Sequence, residues 1–269
     1  MGSYLCVGLD TDPDKIPQQL RSGADPVFDF NREIIDATKG HCVAYKINTA
    51  FYEAMGVKGW DAMERTVNYI PSTHFRIADA KRGDIGNTSN QYARAFFEAL
   101  DFDAVTVAPY MGWDSVRPFL EYKNKWTIVL GLTSNPGAED FELRRLAQDE
   151  RGGWAGGAAP TGAYLYEHVL RTAAGWGSPD NLMFVIGATQ AEAFERVRKV
   201  APDHFYLVPG VGAQGGNLEE ISKKAMNKDV GLLVNASRAV IYASGGEDFA
   251  AAAGDAAAAY HREMQQFLR

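Results

Sequence analysis

The sequence holds only two cysteines, Cys6 and Cys42, and they are not in CxxC spacing. Both lie in apolar, strand-like runs, so they read as reduced, buried thiols of a cytoplasmic protein rather than as a disulfide or a metal pair. The histidines, His41, His74, His168, His204 and His261, are scattered without HExxH or other ligand spacing, so neither a metal nor an organic cofactor is expected. The start, MGSYLCVGLD, lacks the basic and apolar regions of a signal peptide and leads almost at once into a strand, so the N-terminus reads as short. No apolar run reaches the roughly eighteen residues that a bilayer span needs. Charge blocks are missing too: 34 acidic and 27 basic residues give a formal charge of -7 that is spread along the chain. Such a surface attracts neither nucleic acid nor an anionic membrane, and the expected partner is a small molecule.

What is present is alternation. Short apolar, β-branched or aromatic runs recur, each followed by a stretch of helical periodicity, which predicts parallel strands with crossover helices. Eight such strands are expected, over Tyr4–Leu9, Cys42–Ile47, His74–Ala78, Ala104–Val107, Thr127–Leu130, Met183–Ile186, Phe205–Val208 and Gly231–Val234. Eight units imply a closed (β/α)8 TIM barrel, with an open doubly wound sheet as the runner-up. A chain of 269 residues that is 46% hydrophobic can bury one such core, so residues 1–269 are expected to form a single domain. Residues 138–160 make a long connection, rich in charge and then in glycine, and read as an insertion over the rim or as plain mobile surface. The Ala-rich stretch Glu247–Arg269, with Phe249, Tyr260, Met264 and Phe267, reads as a closing helix.

In a barrel the loops after the strands carry the chemistry. The most informative of them lies in FRIADAKRGDIGNTSNQYA. Strand side chains alternate faces, so Asp79 and Lys81, two apart, are expected to point into the barrel mouth together. Asp84 follows on the loop, and Asn87 or Thr88 is placed to cap the next helix. A random D-x-K-x-x-D is usually a surface salt-bridge patch; its place at the end of the third strand favours function. Lys46, in VAYKINTAF at the end of the second strand, would reach the same mouth. Lys46, Asp79, Lys81 and Asp84 would then form an array of zero net charge, in which carboxylate neighbours keep each partly buried lysine protonated. Lys81 between two aspartates suits a charged proton donor, not a Schiff-base nucleophile.

A second constellation follows the last two strands. Pro209 opens the run PGVGAQGGN, where Gly210, Gly212, Gly215 and Gly216 let the backbone approach a ligand and the N–H groups of the next turn can meet phosphate oxygens. Ser237 and Arg238 follow the eighth strand in NASRAV, and the guanidinium supplies a fork of donors for a phosphate. Barrels often bind phosphate after strands seven and eight.

Over nearly its whole length the chain resembles the orotidine 5'-phosphate decarboxylase family. The motifs that carry the likeness are VGLD at Asp10, YKINTAFYE at Lys46, DAKRGDIGNT, TSNPG at Ser134, PGVGAQGG at Gln214 and the arginine of NASRAVIYA. The long insertion after TSNPG departs from the shortest members and is similar to a divergent bacterial-type branch. The resemblance implies that Lys81 protonates C6 of the pyrimidine after carbon dioxide leaves and that Asp79 faces the departing carboxylate. It also implies a homodimer in which Asp84, with Ile85 and Thr88, reaches the partner's site. Asp10 and Lys46 would bind the ribose hydroxyls, Ser134 would read the pyrimidine, and Gln214 and Arg238, within the stretches that contain Pro209, Gly215 and Ser237, would grip the phosphate. The nearest rival is a magnesium-dependent sugar-phosphate decarboxylase or aldolase of the same barrel, but such relatives carry a metal-binding acid on the second strand, where this chain has Lys46. A non-catalytic phosphate-ligand binder is the remaining alternative, and it would have no need of Lys81 between two carboxylates.

Overall fold

The structure is a computed structural model that describes residues 2–146, 162–189, 191–212 and 215–268. All eight expected strands form: β1 (Leu5–Gly8), β2 (Ala44–Asn48), β3 (Phe75–Arg82), β4 (Ala104–Val107), β5 (Trp126–Leu132), β6 (Leu182–Ile186), β7 (Tyr206–Pro209) and β8 (Leu232–Ala236). They are ordered β1 to β8 in a closed barrel. β1 pairs in parallel with both β2 and β8, so it has no free edge, and the doubly wound alternative falls away. Every residue of β1, β6 and β8 is buried, as continuous apolar runs between a barrel core and covering helices require.

The chain comprises two compact units, Met1–Ala80 with Arg94–Val105 and Leu233–Arg269, and Lys81–Ala93 with Thr106–Leu232. In the first, the helix Pro26–Thr38 starts where the Asp25 side chain accepts from the Phe28 amide and Pro26 sets the first helical φ. Its buried face includes Phe30, which stacks on Phe249 of the last helix with ring centroids 5.3 Å apart. That last helix runs Phe249–Gln265, shorter at both ends than expected, and buries Phe249, Ala253, Ala257 and Met264. Tyr260 and Phe267 are only partly covered. In the second unit Arg198 donates to the carbonyls of Ala201, Pro202, His204, Ala225 and Gly231, and its guanidinium lies 3.8 Å from the Tyr206 ring centroid. These bonds draw together carbonyls at the ends of neighbouring elements, of which Gly231 also accepts from the Tyr206 amide.

Two local expectations change. β3 runs four residues past Ala78, so Asp79 and Lys81 belong to the strand rather than to the loop behind it. The next helix, Gly86–Arg94, starts early enough that Asn87 and Thr88 lie inside its first turn instead of capping it. Of the connection at 138–160, residues 147–160 fall outside the described residues, while 136–139 form a 3₁₀ turn and Arg145 bridges Tyr164 in antiparallel fashion. Cys6 and Cys42 are free and buried, and burial pushes both thiol pKa values up. Among the described residues no helix is long and apolar enough to cross a membrane.

Candidate active site

In the first unit the site is built around one lysine. Lys46 sits mid-strand in β2, and its ammonium lies 2.9 Å from Asp10 Oδ1 and 3.2 Å from Asp79 Oδ2. The Lys46 side chain is 3% exposed, against 18% for Asp10 and 14% for Asp79, so the pairs are shielded from water and little screened. Burial alone would drive the proton off Lys46. The two carboxylates outweigh it and hold the lysine pKa above its ordinary value. β2 and β3 pair with Lys46 opposite Ile77 and Asn48 opposite Asp79, a register that places the Asp79 carboxylate one step toward the mouth from the lysine backbone.

Asp10 follows β1 and is held by a polar network that the sequence did not disclose. Tyr52 donates its hydroxyl to the Leu9 carbonyl at 2.9 Å, and the Leu9 amide donates to the Lys46 carbonyl at 2.8 Å. Asn31 donates to Tyr52 Oη at 2.9 Å and to Thr66 Oγ1 at 3.0 Å, and it accepts from Thr11 at 2.6 Å. All four of these side chains are fully buried. From outside, Tyr242 donates its hydroxyl to the Asp10 carbonyl at 3.3 Å and accepts from the Asp12 amide at 2.7 Å. A fully satisfied network of this kind fixes one arrangement of the turn, because every alternative leaves a buried polar group unpaired. An asparagine on a helix and scattered Tyr and Thr give no local signal of it.

At the end of β8, Ser237 donates to the Gly8 carbonyl at 3.1 Å and opens the short helix Arg238–Ile241. A Cβ at Gly8 would lie 2.7 Å from the Ser237 Cβ and 3.1 Å from Asn235 Oδ1, so only glycine permits this approach of β1 to β8. The Asn235 oxygen is buried without a hydrogen-bond partner among the described residues. The Arg238 side chain is exposed and makes no hydrogen bond or ion pair with them, which leaves its fork of donors for a ligand.

The second unit carries the rest. Lys81 has φ +47°, a left-handed conformation rare for a residue with a side chain, and its amide donates to Thr106 Oγ1 at 2.9 Å. Such strain persists only where surrounding structure over-determines it, and it gathers at functional positions. Asp84 accepts from the Ile85 amide at 2.7 Å and meets no cation among the described residues. Ile85 is 63% exposed, and Thr88 is exposed as well.

Ser134 follows β5. Its hydroxyl is buried with no partner among the described residues, and a Cβ on Gly187 would come within 2.2 Å of it, so Gly187 is what gives it room. Pro209 closes β7, and the loop behind it bonds to itself: the amides of Gly212, Gly215 and Gly216 donate to the carbonyls of Gly216, Gly212 and Gly210. The next helix, Leu218–Ala225, is capped by Asn217 and opens with Glu219 and Glu220. The amides of Gly212, Gly215 and Gly216 are thus engaged within the loop, and two carboxylates offset the positive end of that helix. Gln214 lies outside the described residues. Among the described residues no three His, Cys, Asp or Glu side chains are placed to hold a metal ion.

Comparison with known proteins follows the same lines. The family model described as orotidine 5'-phosphate decarboxylase / HUMPS matches residues 3–253. Proteins named orotidine 5'-phosphate decarboxylase from Phocaeicola vulgatus and from Christiangramia forsetii are each 55% identical over 269 residues, covering 99% of this chain and 94% of theirs. The solved OMP decarboxylase of Leishmania donovani superposes with a TM-score of 0.79 at 32% identity, covering 98% of this chain and 94% of that one. With its barrel, its Asp10–Lys46–Asp79 cluster and this match over almost its full length, the chain belongs to the orotidine 5'-phosphate decarboxylase / HUMPS family.

Proposed function

We propose that this protein decarboxylates orotidine 5'-phosphate to uridine 5'-phosphate, a step of pyrimidine biosynthesis, without a cofactor. The observation that carries the reading is the buried Lys46 bridging Asp10 and Asp79. In this reading Asp79 faces the departing carboxylate and Lys81 delivers its proton to C6. Loss of carbon dioxide leaves a carbanion with no neighbouring carbonyl to absorb the charge, so fixed charges set before the reaction supply the stabilisation. Asp10 and Lys46 take the ribose hydroxyls, Ser134 reads the base, and Arg238, with Gln214 and the Pro209–Gly215 and Ser237 segments, holds the phosphate. The unpaired Ser134 hydroxyl and Arg238 guanidinium support those roles, since each offers a bonding capacity that the described protein leaves unused. Phosphate binding, remote from the bond that breaks, helps hold the base in place for the chemical step.

The magnesium-dependent alternative fits less well, because the Lys46 ammonium occupies the space between the two carboxylates where a divalent cation would sit. The site is further read as shared by a homodimer. Asp84 has no cation of its own among the described residues, and Ile85, Tyr110, Met111 and Trp113 are exposed. The Met111 methyl lies 3.8 Å from the Cβ position of Gly83, so this apolar surface adjoins the Asp84 segment. A second copy that takes in Asp84, Ile85 and Thr88 would cover it. Free, buried cysteines support a cytoplasmic setting.

Following pyrimidine absorbance after mixing the protein with orotidine 5'-phosphate tests the activity; no change at high enzyme concentration would refute it. Mixed dimers test the shared site. Lys81→Ala and Asp84→Ala proteins should each be nearly inactive. In a mixed dimer the Asp84→Ala subunit keeps its own Lys81 and borrows the partner copy's intact Asp84. Random reassortment makes half the dimers mixed, with one good site each, so activity should return to about a quarter of wild type. Verified mixed dimers as inactive as their parents would show that Asp84 does not act across the interface.

A further inference from the structure

The segment that follows the TSNPG motif turns back on the strand it leaves. Beyond Ser134 the chain makes the 3₁₀ turn Pro136–Glu139 and returns, so that Glu142 Oε2 accepts from the Thr133 amide at 2.7 Å and Glu142 Oε1 accepts from the Thr133 hydroxyl at 2.9 Å. The hydroxyl has one hydrogen, shared with Asn135 Oδ1 at 2.6 Å, so the amide contact is the firmer of the two.

The need for it is visible in β5. Its register with β6 shifts between Leu130 and Leu132, and the ladder stops there, with the Gly187 amide donating to the Leu132 carbonyl at 2.8 Å. Thr133 is the first residue past the ladder, and a bulge of this kind re-aims the residues behind it. Glu142 takes the amide that the sheet no longer serves.

Glu142 is itself anchored. The Tyr166 amide donates to its carbonyl at 3.0 Å, the Leu165 amide donates to the Arg144 carbonyl at 2.8 Å, and the Leu146 amide donates to the Ala163 carbonyl at 2.9 Å. These bonds join the segment to the start of the helix Leu165–Ala174, where the Tyr164 amide donates to Glu167 Oε2 at 2.8 Å. A continuous set of bonds therefore runs from that helix through Glu142 to Thr133, and the next residue is Ser134 with its unpaired hydroxyl.

We propose that Glu142 is a positioning residue that fixes the Thr133–Ser134 backbone so that the Ser134 hydroxyl is held ready for the pyrimidine, and that it thereby sets affinity for the base rather than for the sugar phosphate. The inference rests on the reading of Ser134 as a contact to the base. A charge-assisted bond to a backbone amide is among the stronger hydrogen bonds, and its loss at a site that must be preorganised appears in ligand affinity.

The test compares uridine 5'-phosphate with ribose 5-phosphate, which lacks the base, by calorimetry on the whole protein. Glu142→Ala should weaken uridine 5'-phosphate by about ten-fold or more and leave ribose 5-phosphate unchanged. Glu142→Gln should restore most of the loss, because its carbonyl can accept from the Thr133 amide while its NH2 donates to the Thr133 hydroxyl oxygen. On a Ser134→Ala background, Glu142→Ala should add little, since both changes remove the same contact. Equal weakening of both ligands, or full additivity with Ser134→Ala, would overturn the proposal and make Glu142 a general support of the fold. If Ser134→Ala alone leaves uridine 5'-phosphate affinity unchanged, the reading of Ser134 fails first and takes this inference with it. Loss with Ser134→Ala but none with Glu142→Ala would sink the inference alone.

Discussion

Lys46 and Lys81 belong to the same pair of motifs, yet the structure treats them oppositely. Lys46 is buried between two carboxylates, Asp79 within β3 and Asp10 on a turn backed by a closed network of buried hydroxyls and an amide. Lys81 is exposed and strained, at φ +47°, and the segment behind it presents Ile85 and Thr88 to solvent. Under the proposed function, the difference separates two tasks. A charge that orients a ligand is best held by the protein that carries it, because a buried array keeps its geometry without the ligand. A group that moves a proton must stay accessible to the ligand, and the backbone bears the strain of presenting it.

That contrast makes Lys81 the residue whose loss should hurt catalysis most and the fold least. Lys81→Ala should lower kcat by at least about a thousand-fold, on the scale of removing a fixed group that stabilises developing charge. Initial rates at saturating substrate check this, and a loss within about ten-fold would move proton delivery elsewhere. Lys46→Ala should show the reverse balance, leaving Asp10 and Asp79 without their shared cation in a site nearly closed to water. Removing one partner of a buried ion pair costs about 3–5 kcal/mol, and urea unfolding at neutral pH should show a fall of that order. A change under about 1 kcal/mol would mean that water reaches the two carboxylates and that the array is less closed than its burial implies. The smallest effect concerns the backbone. Lys81→Gly should be more stable than Lys81→Ala by about 1 kcal/mol, because glycine takes a left-handed φ without steric cost. If the alanine variant is the more stable, Lys81 is not held in that conformation in solution.

Much of the barrel could be read along the chain. Most strands are short apolar runs, buried for the reason that made them recognisable, and β1, β4, β6 and β8 fall within a few residues of their expected places. The ends were less legible. β3 continues through Asp79 and Lys81 because its ladder to β2 reaches Asp79 and because the Lys81 amide finds Thr106, neither of which is encoded in residue type near by. Of the array expected from charge, Lys46 and Asp79 do meet, and Asp10, which only the resemblance had assigned a role, joins them. The glycines after β7 were read as letting the backbone approach a ligand, and the amides of Gly212, Gly215 and Gly216 also close the loop on itself, since a run of glycines suits a tight turn as well as it suits a ligand.

Periodicity and charge pattern, both local properties, determined the number of strands, their parallel order and the acid–lysine motifs that mark the family. Partners distant in sequence were decided by the fold alone. Asn31 became the hub of the network behind Asp10, through bonds to residues 20, 21 and 35 positions away. Glu142 became the support of Thr133 once the chain had turned back. The physical reason is the same in both cases. A buried polar group must find a hydrogen-bond partner, but which partner it finds depends on where folding brings the chain, and no single segment carries that information.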